Sequence, residues 1–432
     1  MKIVPILGLS ALLTAALPAH AADRIETVPT WGPYFLGHES EPAMDYGGRV
    51  IISLHRAICD LGHKFTGRIP PVAPAYEFPF AIAISTLQHE IHGHGARARE
   101  YNLNPSYGFG LDFSAYTTVD KDPRSNEQMA TLSGGGTEAD LVMARRLLID
   151  LCQPGGAPAS SVPLMFLGKV DLSIYVLSTV KPRADRRVPP DGRGSGRTGD
   201  DDDEDSSFTD QFEDGNDIAI YLVTRQAQRL GGTPADVWNR DYLIDFSEAD
   251  LNDTYDHVQD MAIWNLVDPM MWSAMFLYVT DHAIRGKTVI PAPALPLGQG
   301  FALTVGTRGA LGPQSVSRFL DLYLVTPVGV VSVYGRDLRS TDDSAFGVGA
   351  GLHRLALGPH VRASAQADLW ANPDAPEDFY DGSGWNASGE IEFPVSPAVG
   401  VALKIGAKSD GFFPGTPTDS GAYAGAGVTA AF

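Results

Sequence analysis

The sequence predicts an α+β multidomain protein in which a mainly helical N-terminal domain precedes an eight-stranded antiparallel β-barrel. Three observations carry this prediction. Apolar residues before about residue 290 recur at helical spacing. After Gly300 the hydrophobic period switches to two, and turn residues divide the rest of the chain into eight strand-like segments. At 432 residues, the chain is also longer than one ordinary domain.

The first residues predict a secretory signal peptide over residues 1–21. Lys2 gives a positive start, the stretch to Leu17 is almost wholly apolar, and Ala19-His20-Ala21 has the small-residue pattern of a cleavage site. The apolar run is short for a membrane span of about 20 residues. We therefore expect an exported protein whose mature chain begins near Ala22.

The helical part is expected in two pieces joined by an acidic flexible linker. The predicted boundaries are residues 22–182 for the first piece, 183–214 for the linker and 215–290 for the second piece. Within the first piece, the segment 163–180 is strongly apolar but carries Lys169 and Asp171. Two charges inside a membrane span would cost several kcal/mol, so this segment is interpreted as a buried helix of a soluble domain.

Composition excludes some partners and leaves others open. The formal net charge of -20 argues against nucleic acid, whose phosphates require a basic surface. We expect the two cysteines, Cys59 and Cys152, to form a disulfide in an oxidising compartment, with two buried free thiols as the alternative. In both cases a metal site built from several cysteines is excluded.

Residues 298–432 alternate in the manner of half-buried strands. Val361, Ala363 and Ala365 fall on one face of a segment whose other face carries Arg362 and Ser364. A soluble sandwich would bury the apolar face, whereas a membrane barrel would turn it to lipid. Segment lengths near the 9–11 residues of a tilted span favour lipid, and eight strands suffice for a small closed barrel.

The ending also fits a membrane protein, because the last strand finishes at Phe432. This resembles the terminal aromatic residue of bacterial outer-membrane barrels. The resemblance implies a Gram-negative outer membrane, with lipid as a partner and the helical domain facing the periplasm or the surface. A soluble β-domain is the alternative.

The strongest chemical signal is the histidine-rich segment His89-Glu90-Ile91-His92-Gly93-His94. Neutral imidazoles suit zinc, and a nearby carboxylate can serve as a base toward water. The segment resembles the HExxH helix of zincin metallopeptidases, in which two histidines one turn apart bind zinc and the glutamate activates water.

The resemblance is incomplete. HExxH would require a histidine at position 93, which is Gly93; the available partners of His89 are His92, three residues later, and His94, five residues later. On a regular helix His89 and His94 would not converge, so their meeting requires a bulge or unwinding at Gly93, which glycine permits.

A later segment supplies the remaining expected residues. In zincins of the glutamate type, the third ligand is a carboxylate on a later helix. The resemblance therefore implies Glu138, at the start of a helix predicted after the Gly134–Gly136 run, as a ligand. Asp140 would hydrogen-bond a ligating histidine or take the place of Glu138 as ligand.

The expected function is that of an outer-membrane-anchored, zinc-dependent peptidase in which Glu90 acts as the base. Two alternatives stay open: a non-catalytic outer-membrane protein that binds partners, and a lipid- or envelope-modifying enzyme using the same residues. The pairs Asp256-His257 and Asp281-His282 could also bind metal, but we interpret them as surface or core pairs.

Overall fold

The computed structural model describes residues 34–40, 44–66, 69–110, 114–182, 208–213, 215–232, 251–340, 343–358, 361–374, 380, 382–396 and 399–430. The predicted signal peptide lies outside the described residues, as do Phe432 and most of the predicted acidic linker.

Helices make up most of the described chain before residue 290. The α-helices are α1 (Met44–Phe65), α2 (Pro74–Leu87), α3 (Gly95–Glu100), α4 (Asn126–Cys152), α5 (Ser161–Ser178), α6 (Phe208–Glu213), α7 (Asp217–Arg229), α8 (Asn252–Leu266) and α9 (Pro269–Leu277). Two π-helical turns continue α2 and α9: π1 (Gln88–His94) and π2 (Tyr278–Ile284).

Side-chain caps explain where three of these helices begin. The Ser125 side chain accepts a hydrogen bond from the Gln128 amide, and so α4 starts ten residues before the position expected from the glycine run. Asn216 caps α7 in the same way. Asp268 caps α9, whose first residue is Pro269, a position that needs no amide donor.

The described chain has several short strands up to residue 290 and consists mainly of strands after it. They are β1 (Tyr34–Glu39), β2 (Pro105–Phe109), β3 (Ala115–Val119), β4 (Ala157–Pro158), β5 (Val289–Ile290), β6 (Leu295–Gly298), β7 (Phe301–Leu311), β8 (Val316–Thr326), β9 (Gly329–Arg339), β10 (Ser344–Gly358), β11 (Val361–Ala371), β12 (Ser383–Pro394), β13 (Val399–Lys408) and β14 (Gly421–Ala430). Each of the eight segments predicted from the period of two forms one of the strands β7 to β14.

The expected closed eight-stranded barrel is wrong. The main sheet is antiparallel and has ten strands in the order β1-β14-β13-β12-β11-β10-β9-β8-β7-β6. Among the described residues the end strands β1 and β6 do not pair with each other. The sequence pattern missed both end strands because β6 is four residues long and β1 takes its register from a partner almost 400 residues away.

Helix α1 covers the free edge of β1. The Phe35 amide, which points away from β14, donates a hydrogen bond of 2.6 Å to Ser53 Oγ of α1. Covering an edge with a helix satisfies backbone groups that would otherwise recruit another chain. This edge of the sheet is therefore covered by a helix.

The main sheet turns its polar face to the helices and its apolar face outward. Soluble proteins pack the apolar face of a sheet against the helices. The helices pack on its polar face, where Arg49 of α1 binds Glu390 at 2.7 Å and Lys404 binds Asp45 at 2.9 Å. The opposite face exposes large apolar side chains: Leu303, Leu320, Leu322, Val333, Phe346, Val348, Leu352, Leu369, Trp385, Ile391, Phe393, Leu403, Ile405 and Val428. We call this set the outer apolar face.

Helix α5 lies in the middle of the helical layer. By length and composition it is the one described helix that could cross a membrane, although 61% of its apolar window is buried inside the protein. Its Lys169 pairs with Asp268 of the α8–α9 turn at 2.9 Å, and both side chains are buried. The Lys169 charge within this apolar helix is thus neutralised by the residue that caps a neighbouring helix.

The expected disulfide is absent. Cys59 and Cys152 are both free and buried, so the alternative of two buried thiols describes them. The Cys59 sulfur contacts the His55 ring, 3.6 Å from Nε2, and Cys152 belongs to the largest hydrophobic cluster. Each sulfur therefore has its own packing environment.

Candidate metal centre

The π1 turn brings His89 and His94 together. Its hydrogen bonds run to the fifth residue along the chain, as from the Gly95 amide to the Glu90 carbonyl, so residues five apart lie one turn apart. The Nε2 atoms of His89 and His94 are 3.1 Å apart. The convergence that a regular helix forbids is thus supplied by the bulge.

Asp217, the first residue of α7, completes a triangle of ligand-type atoms. Its Oδ2 lies 3.2 Å from His94 Nε2 and 3.5 Å from His89 Nε2. Asp217 therefore occupies the place for which the sequence suggested Glu138. Both imidazoles are buried, while the Asp217 side chain keeps 18% of its surface exposed.

The far nitrogen of each imidazole is held by an acceptor. His89 Nδ1 lies 3.2 Å from Asp171 Oδ2 and 3.5 Å from Asp140 Oδ2. His94 Nδ1 lies 2.6 Å from the Leu132 carbonyl, which can only accept a hydrogen bond. Such contacts place the proton on Nδ1 and turn the Nε2 lone pair toward the partner, as in many metal sites.

Burial and neighbouring charges shift the pKa values of several side chains in the site. Burial raises the pKa of Asp140 to about 7, and the neighbouring Asp171 charge adds to this rise. Burial also opposes ionisation of Asp217, but the His94 and His89 imidazoles hold its pKa well below the usual value. Burial would lower the pKa of His89, yet Tyr175, Asp171 and Asp140 raise it well above its usual value.

Two glycine contacts allow π1 to press against α4. A Cβ at Gly93 would lie 2.6 Å from the Gly136 Cα, and one at Gly136 would lie 2.2 Å from His89 Nε2. Real Cβ atoms do not come so close to other heavy atoms. The glycine run lies inside α4, and its last member, Gly136, makes room for the His89 ring.

Glu90 stands beside this cluster on the same turn. It is four residues before His94, its side chain is buried, and its Oε2 accepts a hydrogen bond of 2.6 Å from Thr117 of β3. Its charge acts on His94. No hydrogen bond to the second carboxylate oxygen, Oε1, is described.

Two of the sequence-predicted residues lie elsewhere. Glu138 forms a buried two-point ion pair with Arg97, and its Oε1 also accepts from the Gly415 amide at 2.7 Å. His92 packs against Gly47 of α1, and burial lowers its pKa to about 4. The structure thus brings His89, Glu90, His94 and Asp140 together and leaves these two outside the cluster.

Sequence reasoning missed Asp217 and Asp171 as parts of the site. Asp171 carried a signal, because a carboxylate in an apolar helical run needs a buried partner. Asp217 carried little, since it closes an acidic stretch in which no carboxylate stands out.

Comparisons with known proteins give little beyond this geometry. No protein-family model matches the chain, and no curated protein matches it. A solved structure described as the NanC porin in a rhombohedral crystal form is similar over 32% of this chain and 76% of that one, with 9% identity and a TM-score of 0.25. So low a score supports no conclusion about fold or function.

Proposed function

We propose that this protein is a zinc-dependent hydrolase of the bacterial outer membrane, with His89, His94 and Asp217 as zinc ligands. The observation that carries the proposal is the triangle of their ligand atoms, with sides of 3.1, 3.2 and 3.5 Å. Tetrahedral zinc with bonds of about 2.0–2.1 Å requires ligand atoms about 3.3 Å apart.

The arrangement of hydrogen atoms supports a cation at the same point. With Nδ1 of both imidazoles serving as donors, two Nε2 lone pairs and a carboxylate oxygen face one another. Converging acceptors in a buried site repel one another unless a proton or a metal ion lies between them. Two nitrogens and one oxygen are a ligand set that zinc accepts, and three protein ligands leave one position open for chemistry.

Glu90 is the proposed base. A zinc ion at the triangle would act as a Lewis acid and make water a stronger acid. Glu90, with one oxygen held by Thr117, would take the proton of the attacking water and return it to the leaving group. Asp171 and Asp140 would keep the His89 ring oriented.

Peptide bonds are the proposed substrate because the order His-Glu followed by a histidine one turn later resembles that of zincin peptidases. The π1 turn makes this resemblance closer, since it places His94 where a regular helix would place the second histidine of HExxH. The likeness lies in local geometry alone, and the third ligand differs in type from the glutamate of that group.

The outer apolar face supports the proposed membrane location. Among its members, Leu403 is 50% exposed and Ile405 is 71% exposed, whereas Lys404 between them points inward to Glu39 and Asp45. Soluble proteins rarely leave a continuous apolar surface of this extent in water. Outward apolar and inward polar residues are the pattern of outer-membrane strands.

Zinc content and hydrolysis test the proposal together. Zinc per mole of the purified full-length protein should fall when Asp217 is changed to Ala. Asp256→Ala is the matched control, since that exposed aspartate pairs only with the exposed Lys181 among the described residues. Glu90→Gln should keep zinc but lose about 10²–10⁴-fold in the rate of cleavage of a labelled peptide library.

Three results would overturn the proposal: a wild-type protein that binds no zinc, an Asp217→Ala variant with full zinc content, or a Glu90→Gln variant with wild-type activity. Lipid extracts from bacterial envelopes serve as a second substrate arm. Turnover of lipid without peptide cleavage would reject the peptidase assignment while leaving the zinc site intact.

A further inference from the structure

A second group of ligand-type side chains lies at the other end of α2. His63 of α1 and His282 of π2 both point at Glu77 of α2. Glu77 Oε1 is 2.7 Å from His63 Nε2 and 3.2 Å from His282 Nε2, and the Glu77 side chain is fully buried. Three separate segments thus contribute one ligand atom each.

The contacts around this group turn two imidazole nitrogens and one carboxylate oxygen toward one another. His282 Nδ1 lies 2.7 Å from the Lys287 carbonyl, so the proton must be on Nδ1 and a neutral ring turns its Nε2 lone pair to Glu77. Tyr278 donates to the other Glu77 oxygen, Oε2, at 2.6 Å. Oε1 is therefore the atom left to face the two imidazoles.

We propose that His63, Glu77 and His282 form a second zinc site, distinct from the proposed catalytic one. Two imidazole nitrogens and one carboxylate oxygen suit zinc, and the ligand atoms all lie within 4.8 Å of one another. Glu77 and His89 are twelve residues apart along a continuous helical segment, which corresponds to about 18 Å. The two sites are therefore too far apart to hold two metal ions that act together on one substrate, which requires a separation of about 3.5–4 Å.

The ligands sit on elements whose geometry is fixed by other contacts. His282 lies in π2, the second π-helical turn of the described chain, and such turns often occur at functional sites. Its neighbour Asp281 turns away and binds Arg285 at 2.9 Å and Lys287 at 2.8 Å. Lys287, whose carbonyl holds His282, is thereby anchored as well.

The position of the site indicates what a metal there would do. It would join α1 and α2, at the start of the helical layer, to π2, which is the last helical element before the main sheet. The His63 side chain keeps 15% of its surface exposed, which gives an ion a route from solvent. A metal that bridges distant segments stabilises the folded state by its binding free energy.

Zinc stoichiometry separates this site from the catalytic one. We expect the wild-type protein to bind two zinc ions per chain, His94→Ala to bind one, and His282→Ala to bind one. His38→Ala, which changes an exposed histidine of β1, should still bind two. In the His94→Ala background, EDTA should lower the thermal unfolding temperature, and adding His282→Ala should abolish that effect.

Crystals of the wild-type protein grown with zinc give a test that needs no variant. An anomalous peak is expected among His63 Nε2, Glu77 Oε1 and His282 Nε2. Absence of that peak, or an unchanged zinc content in His282→Ala, would overturn the second site. Loss of only the peak at His89 and His94 would instead reject the proposed function and leave this inference standing.

Discussion

At the scale of single residues, the proposed catalytic site depends on a position in α4 that has no side chain. Gly136 has no side chain, and the His89 ring fills the space beside its Cα. At Gly134, which faces Leu311 instead of the site, glycine costs the helix about 1 kcal/mol of stability relative to alanine. Replacement by alanine should therefore affect zinc binding at Gly136 but not at Gly134.

Gly136→Ala should separate metal binding from stability. The added Cβ would lie 2.2 Å from His89 Nε2 and must displace the ring, so we expect zinc affinity to fall about 10–100-fold, as when a ligand loses its orienting partner. Zinc titration measures the affinity. At Gly134 the nearest atom to a new Cβ is Leu311 Cβ at 3.3 Å, so Gly134→Ala is the control and should bind zinc normally. Equal affinities in the two variants would contradict the assigned role of His89.

At the scale of elements, the π1 turn can be described as one residue inserted into a helix. Without Ile91 the segment would read His89-Glu90-His92-Gly93-His94, which has the HExxH spacing. In a regular helix, histidines four residues apart share a face. The wide turn therefore restores the geometry that the extra residue would have destroyed.

Deleting Ile91 should leave zinc binding intact. The turn would relax to a regular helix, and His89 and His94 would then be four positions apart on one face. Deletion of Ala83 from the regular part of α2 is the control. It rotates the two ends of the helix by about 100° relative to each other and should abolish zinc binding at His89 and His94. Zinc content and circular dichroism report on the two variants. A folded Ile91 deletion that binds one zinc ion fewer than the wild-type protein would show that the wide turn itself is required.

The elements also show how far the sequence could be interpreted. A period of two located β7 to β14 because each of these strands turns one face to apolar surroundings. It could not locate β1, whose register is imposed by Val428 and its neighbours in β14. His89, Glu90 and His94 were found because they are neighbours in sequence. Asp217 was missed because tertiary packing alone brings it 123 residues across to His94.

At the scale of the whole molecule, the polarity of the sheet decides the environment that it requires. The charged side chains on its polar face form ion pairs within the protein, for instance Arg49–Glu390 and Lys404–Glu39. Its outer apolar face is exposed in the described part of the chain. In water that face would be unfavourable, whereas in a bilayer it would cost nothing.

Leu403→Arg should distinguish the two environments. If the outer apolar face lies in lipid, a charge near the midplane costs about 2–4 kcal/mol of unfolding free energy. If it lies in water, exchange of one exposed residue should change that free energy by no more than about 0.5 kcal/mol. Urea unfolding in phospholipid vesicles gives the measurement. Leu403→Ala serves as the control for loss of the side chain without a charge.

The pairing of β1 with β14 links the two ends of the described chain, from the Tyr34–Ala430 pair to the Glu39–Gly425 pair. Strand β1 is synthesised almost 400 residues before its partner β14. Contacts between such distant residues slow folding, and the helices in between must be held in an unaggregated state for that time. Folding of this protein therefore includes an interval in which β1 has been made but the strand that fixes its register has not.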